Sequence, residues 1–368
     1  MNENLTEILD TLNDPARLKE MDPQGMLRLA IQFPQQCQEA VGIRWQNTEA
    51  KSDAPEIRNV VVTGMGGSAI GGEFARALVE EYGSVPLIVN RDYTLPHWVD
   101  AHTLVITMSY SGGTEETLAA FAEAKSKGAQ IAVITSGGKI LEMAKADGLP
   151  HAIVPGGQPP RSALGFMFFP LFRFLAAKGL LGQEHDFSLD VEEALDLLDM
   201  KATAYSPSIP TAHNPAKQLA LDLYGKIPVI YGSQGYRGVV ATRWKGQFNE
   251  NGKLAAFANV LPEQNHNEIL SWTNAEKQSA NFSIIFLRDP DETARLPRIA
   301  KRVQVTKEII GDAYPIYEAV AEGDSMLERM MSLVTLADYV TIYLALLDGT
   351  DPTTIAGIDR LKEELSKV

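Results

Sequence analysis

The chain has 368 residues, 45% hydrophobic and 22% charged, enough material for two domains with buried cores. Lys and Arg total 33 against 47 Asp and Glu, a formal net charge of −14 that repels nucleic acid and leaves any small anionic ligand to local donors. A single cysteine, Cys37, excludes an internal disulfide framework and fits a reducing cytoplasm; the opening Met-Asn-Glu-Asn-Leu-Thr-Glu has neither the basic nor the apolar region of a secretory signal.

Residues 1–50 read as short helices, broken at Asn13-Asp-Pro15 and Asp22-Pro-Gln-Gly25, and too acidic for a DNA-binding headpiece. From Asn59 strands expected at 60–63, 85–90, 104–109, 131–135 and 152–154 alternate with helical patterns at 72–81, 115–127 and 138–146. This βαβ grammar predicts a doubly wound parallel sheet with helices on both faces. Pro155-Gly-Gly-Gln-Pro-Pro160 is a turn-rich connection, followed by helical segments from 164 to about 206. Their apolar run 165–181 carries Pro170, Arg173 and Lys178 and is too short to span a membrane, so it reads as a buried helix. A second α/β series begins at Ile227-Pro-Val-Ile-Tyr-Gly-Ser-Gln-Gly235, where Gly232 and Gly235 repeat the spacing of Gly64 and Gly67. Its strand at 282–287 corresponds to 104–109 but ends in Arg288-Asp-Pro-Asp-Glu292, carboxylates in place of hydroxyls. The expected organisation is α/β: a helical segment (1–50), a first α/β domain (51–158), a helical connection (159–210) and a second α/β domain with a carboxyl-terminal helix (211–368), with one site between the two domains.

The most loaded stretch is Thr103-Leu-Val-Ile-Thr-Met-Ser-Tyr-Ser-Gly-Gly-Thr-Glu-Glu-Thr117. An apolar strand runs into hydroxyls and glycines that open a helix, where unpaired backbone N–H groups and the positive end of the helix dipole suit a phosphate. A plain helix cap at Thr114 is the simpler alternative. A second strand enters a glycine-rich turn at Thr63-Gly-Met-Gly-Gly-Ser-Ala-Ile-Gly-Gly72, and two such turns converge at the carboxyl ends of parallel strands. No Gly-Lys-Ser/Thr follows, so a Walker loop is excluded. Gly64-x-Gly66-x-x-Ala69 also fits a dinucleotide fingerprint, but Asn90 stands where that reading wants an acid. The two turns read as one phosphate cradle: Gly67 and Ser68 on one side, Ser109, Ser111 and Thr114 on the other.

Three further segments carry chemistry: Arg161 in Pro160-Arg-Ser-Ala-Leu164, Glu250 in Phe248-Asn-Glu-Asn251, and His266 in His266-Asn-Glu-Ile269. Together with Gly-Met-Gly-Gly-Ser at 64–68 and Ser-Tyr-Ser-Gly-x-Thr at 109–114, this set closely resembles the bifunctional phosphoglucose/phosphomannose isomerases of the sugar-isomerase (SIS) superfamily, from about Val60 to the carboxyl terminus. The resemblance implies two tandem flavodoxin-like SIS domains. It also implies a homodimer in which His266 reaches the partner's site, and a lysine at Lys362 pointing into the site. Gly113 departs from the family's usual Asn. The implied reaction interconverts glucose 6-phosphate and mannose 6-phosphate with fructose 6-phosphate through a cis-enediolate. Its chemistry suits these residue types: a carboxylate base beside Phe248 and Trp244 (Glu250), an imidazole to shuttle protons in ring opening (His266), and a permanent cation for the enediolate (Arg161).

The six histidines are scattered and form no zinc-binding spacing, so a metal-free, cofactor-free reaction is expected. A non-catalytic phosphosugar sensor is the main rival, but it has no need of Glu250 and His266. An amidotransferase needs a nucleophile setting that Cys37 lacks, and an NAD-dependent dehydrogenase ranks third. The expected partner is a sugar phosphate, with no membrane and no nucleic acid.

Overall fold

The structure, a computed structural model, describes residues 9–48, 54–182, 184–278, 281–365 and 367. The extreme amino terminus and the domain boundary expected near residue 50 lie outside them. The chain divides into two compact units, Phe33–Leu195 and a second made of the chain up to Gln32 together with Asp196–Val368. The boundaries of these units fall inside the two helical segments, 1–50 and 159–210, of the linear division into 1–50, 51–158, 159–210 and 211–368. The cause is packing between residues distant in sequence. Helix Met26–Ile31 lies against helix Met326–Leu347. The Asn13 side-chain oxygen accepts from Thr211 N (2.8 Å) and Thr211 Oγ1 (3.0 Å). Helix Phe33–Gly42 instead packs on Leu164–Ala177, where Gln36 donates to Ser162 O and accepts from Gly165 N, both at 2.8 Å.

The Phe33–Leu195 unit holds β1 (Trp45–Gln46), β2 (Asn59–Thr63), β3 (Leu87–Asn90), β4 (Thr103–Ser109), β5 (Gln130–Thr135) and β6 (His151–Ile153) in the order β1-β6-β5-β4-β2-β3. All neighbours are parallel except the antiparallel edge pair β1–β6. Every residue of β4 is buried, the signature of a strand covered on both faces. Val61, Val105 and Val133 pack on one face with Phe121 and Ile140 of helices Glu115–Ser126 and Gly138–Ala146. Val62 faces the other way, against Gly72 of helix Gly66–Tyr82. The parallel strands follow the flavodoxin-like order, and the strand order reverses between β2 and β4, where such sheets bind ligands.

Helix Gly66–Tyr82 begins six residues before the expected start at 72. Its glycines weaken it intrinsically, by about 1 kcal/mol each against Ala. They also admit close neighbours: a Cβ on Gly72 would stand 2.7 Å from Val62 Cγ1, and one on Gly71 3.4 Å from the Met167 backbone. Packing overrides propensity here.

The second unit repeats the design with β7 (Ile227–Ser233), β8 (Phe257–Leu261), β9 (Phe282–Arg288) and β10 (Ile316–Val320), all parallel, in the order β10-β9-β7-β8. Its central buttress is Met326–Leu347, 22 residues, which packs on helices Pro215–Leu223 and Tyr236–Glu250. That helix is long and apolar enough to cross a membrane, yet 83% of its apolar window is buried within the fold, which makes it a core helix. It opens with a capping box, Ser325 and Glu328 each bonding the other's backbone N–H.

Candidate active site

The two turns singled out in the sequence meet at the β2/β4 switch point. Ser109 Oγ lies 3.0 Å from Thr114 Oγ1, and Ser111 Oγ 3.4 Å from the same atom. Thr114 stands at the N-cap of helix Glu115–Ser126, yet its side chain makes no capping bond. The cap alternative therefore fails on geometry: three hydroxyls converge on one another in front of a helix start that no side chain caps. Ser109 is buried and also accepts from Gly112 N at 3.1 Å, while Ser111 is exposed at the mouth. Gly112 is required twice over, by its φ of +71° and by the loop at 137–138, whose Gly137 O would lie 1.8 Å from a Cβ.

Ser68 and Gly67 reach this centre in a different way. Ser68 Oγ accepts from Tyr110 N at 3.2 Å, tying the first turn to the second. Gly67 faces the turn Pro160–Ser162: a Cβ there would sit 2.4 Å from Pro160 O and 3.2 Å from Arg161 N. Arg161 is only 3% exposed, and its turn is held by Ser162 Oγ donating to Pro159 O (2.8 Å) and by Gln36. The structure thus brings Gly67, Ser68, Ser109, Ser111, Thr114 and the Arg161 turn together in one unit.

Glu250, His266 and Lys362 belong to the other unit. Glu250 ends helix Tyr236–Glu250, which is fixed to Met326–Leu347 along one side. Arg243 and Gln247 donate to Asp338 (2.8 and 2.6 Å), Trp244 Nε1 to Leu333 O (3.0 Å) and Asn251 Nδ2 to Thr341 Oγ1 (3.0 Å). Trp244 and Phe248 are fully buried on that side, so the aromatic surroundings expected for Glu250 face the core instead. Residues 244 and 248 point away because helical neighbours at these spacings lie on different faces. Glu250 lines a cavity of about 590 Å³, together with Asn249, Lys253, Leu254, Ala255 and residues 354–358. Lys253 Nζ donates to Glu250 O (2.9 Å) and Asp351 O (2.7 Å), closing the helix end and tethering the tail segment. His266 ends the short turn Glu263–His266 and is exposed. Lys362 is exposed on helix Ala356–Leu365, none of whose residues is buried, and is not among the cavity's lining residues.

At the second unit's switch point, between β7 and β9, the crevice is filled by charged side chains of the chain itself. Arg237 and Glu292, each 2% exposed, form an ion pair, and Arg288 Nε donates to Glu292 at 2.7 Å. Tyr236 OH donates to Asp289 at 2.9 Å, and Arg329 pairs with Asp289 and Asp291. Burial and the Asp289 carboxylate raise the Tyr236 phenol well above its usual range, keeping it a donor. Carboxylates therefore occupy the position that hydroxyls occupy in the first unit. Among the described residues no three His, Cys, Asp or Glu side chains are grouped to hold a metal ion.

Residues 56–146 match the SIS domain, and residues 212–365 match the bacterial phospho-glucose isomerase C-terminal SIS domain. The bifunctional phosphoglucose/phosphomannose isomerase of Caldicellulosiruptor bescii is 42% identical over 344 residues, 93% of this chain and 99% of that protein. The chain belongs to the bifunctional phosphoglucose/phosphomannose isomerase family. The family's representative in Aquifex aeolicus is 39% identical over 86% of this chain and 92% of its own. In fold, a hypothetical protein of Thermus thermophilus superposes with a TM-score of 0.71 at 18% identity, covering 98% of each chain. Three features of this family member were not foreseen in its sequence: the fit of Gly67 to the Arg161 turn, the Lys253 tether, and the anchoring of Glu268 by Tyr231 and Asn259. Glu268 at least left a signal, since it stands inside the His266–Ile269 segment.

Proposed function

We propose that this chain is a metal-independent aldose–ketose isomerase that interconverts glucose 6-phosphate and mannose 6-phosphate with fructose 6-phosphate. The observation that carries the reading is the convergence of Ser109, Ser111 and Thr114 at the β2/β4 switch point, turned away from helix capping. Those hydroxyls and the backbone amides of the following helix start take the phosphate, anchoring one end of the sugar so that binding energy orients the other. His266 moves protons between O5 and O1 as the ring opens. Glu250 takes the proton from C2 and returns it to C1, or the reverse, through a cis-enediolate common to both epimers. Arg161, permanently charged, stabilises the negative charge that grows on the enediolate oxygens. Lys362 is a further cation that the family likeness assigns to the site.

The protein works as a cytoplasmic homodimer, with His266 supplied to the partner's site; its exposure on its own unit supports that assignment. A coupled assay tests the whole reading. Both aldose phosphates should yield fructose 6-phosphate, undiminished by EDTA, and Glu250→Gln should lower kcat by roughly 10²–10⁴ while KM holds. Turnover of one epimer alone refutes the bifunctional reading, EDTA sensitivity overturns the mechanism, and near-normal kcat in Glu250→Gln removes Glu250 from it. Mixing His266→Asn and Glu250→Gln subunits should restore part of the activity; verified heterodimers that stay inactive sink the shared site.

A further inference from the structure

The turn carrying His266 is fastened on both sides. Before it, Asn265 Nδ2 donates to Thr306 Oγ1 at 2.9 Å and Asn265 Oδ1 accepts from Arg302 at 3.2 Å. After it, Glu268 reaches the sheet: Tyr231 OH donates to Glu268 Oε1 and Asn259 Nδ2 to Glu268 Oε2, both at 2.5 Å. Tyr231 and Asn259 are partners across the parallel strands β7 and β8, so one carboxylate bridges two strands.

The network has a direction. Trp272 Nε1 donates to Tyr231 OH at 2.9 Å, which commits the phenol's own hydrogen to Glu268. Asn259 Oδ1 accepts from Val260 N at 2.8 Å, which turns the amide's NH₂ toward Glu268. Burial, and next the neighbouring carboxylate, hold the Tyr231 phenol far above its usual range, so it remains a donor. Every donor thus ends on Glu268, and only a group that accepts on both oxygens completes the network. A glutamine there would set its own N–H against one of two fixed donors.

We propose that Glu268 is a positioning residue for His266: by accepting from Tyr231 and Asn259 it pins the turn to the sheet and fixes where the imidazole is presented to the sugar ring. The inference rests on the assignment of His266 to ring opening, and catalytic groups need placement within about 0.5 Å.

Glu268→Gln and His266→Asn should be assayed side by side on cyclic glucose 6-phosphate and on 5-deoxyfructose 6-phosphate, which has no hydroxyl placed to close on its ketone. Glu268→Gln should lower kcat on the cyclic sugar by roughly 10–10²-fold, the scale of a misplacement near 1 Å. KM and solvent exchange of the C1 proton on the open chain should stay near wild type. The NMR signal of the His266 imidazole should move, while those of the other five histidines hold. Equal losses on both substrates, or an unmoved His266 signal, overturn the proposal. If His266→Asn itself spares ring opening, the assignment of His266 fails, and the imidazole signal still judges Glu268. Should Glu268→Gln not fold, Tyr231→Phe removes one of the two donors and is read by the same measures, with the same results supporting or overturning the role.

Discussion

Gly67→Ala is the substitution whose effect the geometry fixes most tightly. An added Cβ would stand 2.4 Å from Pro160 O, 2.8 Å from Pro160 C and 3.2 Å from Arg161 N. All three are backbone atoms of a turn already held by Ser162 and Gln36, so no flexible side chain can yield. Restoring ordinary contact requires the turn to retreat by roughly 1.0–1.6 Å, and a shift of that order is worth about 10²-fold in rate where a charge must meet a developing oxyanion. Overpacking of this kind costs about 1–3 kcal/mol of stability as well. Steady-state kinetics on fructose 6-phosphate should show kcat reduced by roughly 10–10²-fold and KM changed much less, because Arg161 acts on the enediolate and the hydroxyls hold the phosphate. Gly66→Ala is the control. Its φ of +51° strains any side chain by about 1–2 kcal/mol, but beyond its chain neighbours and its own helix backbone nothing lies within 4 Å of the new Cβ, so melting should fall while kcat holds. A Gly67→Ala enzyme with wild-type kcat would show that the Arg161 turn is not set by this contact.

Thr114→Ala should raise KM for both aldose phosphates by about 10–10²-fold, the loss of a charge-assisted hydrogen bond of about 1.5–3 kcal/mol, with little change in melting because Thr114 caps nothing. Ser109→Ala should raise KM similarly and also lower stability by about 0.5–1.5 kcal/mol, since Gly112 N loses one of its two acceptors and keeps the Ser109 carbonyl; melting curves that do not distinguish the two variants would count against the hydroxyl geometry. Lys217, fully buried, donates to Pro207 O and Ile209 O (2.7 and 2.8 Å), and burial lowers its ammonium to about 8. A lysine that releases its proton more readily when folded makes stability rise with pH from about 8 to about 10.5. Urea midpoints across that window should climb more steeply in the wild type than in Lys217→Met, and parallel slopes would refute the reasoning.

Strands β2, β4, β5 and β9 were legible because each is a run of β-branched or apolar residues buried on both faces. The edge strands β8 and β10 are half-exposed mixtures of apolar and polar residues, and a two-residue strand such as β1 has no pattern to read. The hydroxyl loop was legible since its chemistry is local to six residues. The split of the helical segments was not, because Asn13 meeting Thr211 is a contact across 198 positions that no local periodicity encodes. The aromatic setting assigned to Glu250 failed for a related reason: nearness in sequence was read as nearness in space, and a helix turns Phe248 and Glu250 to different sides.

That long-range docking bears on how the chain is made. The Phe33–Leu195 unit is continuous and can close as it leaves the ribosome, domain by domain. The described residues ahead of it cannot: Asn13 waits for Thr211, and helix Met26–Ile31 waits for Met326–Leu347. At about 5–20 residues per second, the interval from Met26 to the end of that partner helix is roughly 15–65 s. For that time Leu12, Leu18, Met26 and Leu27, all buried in the finished protein, face solvent on a nascent chain whose next unit is already folding.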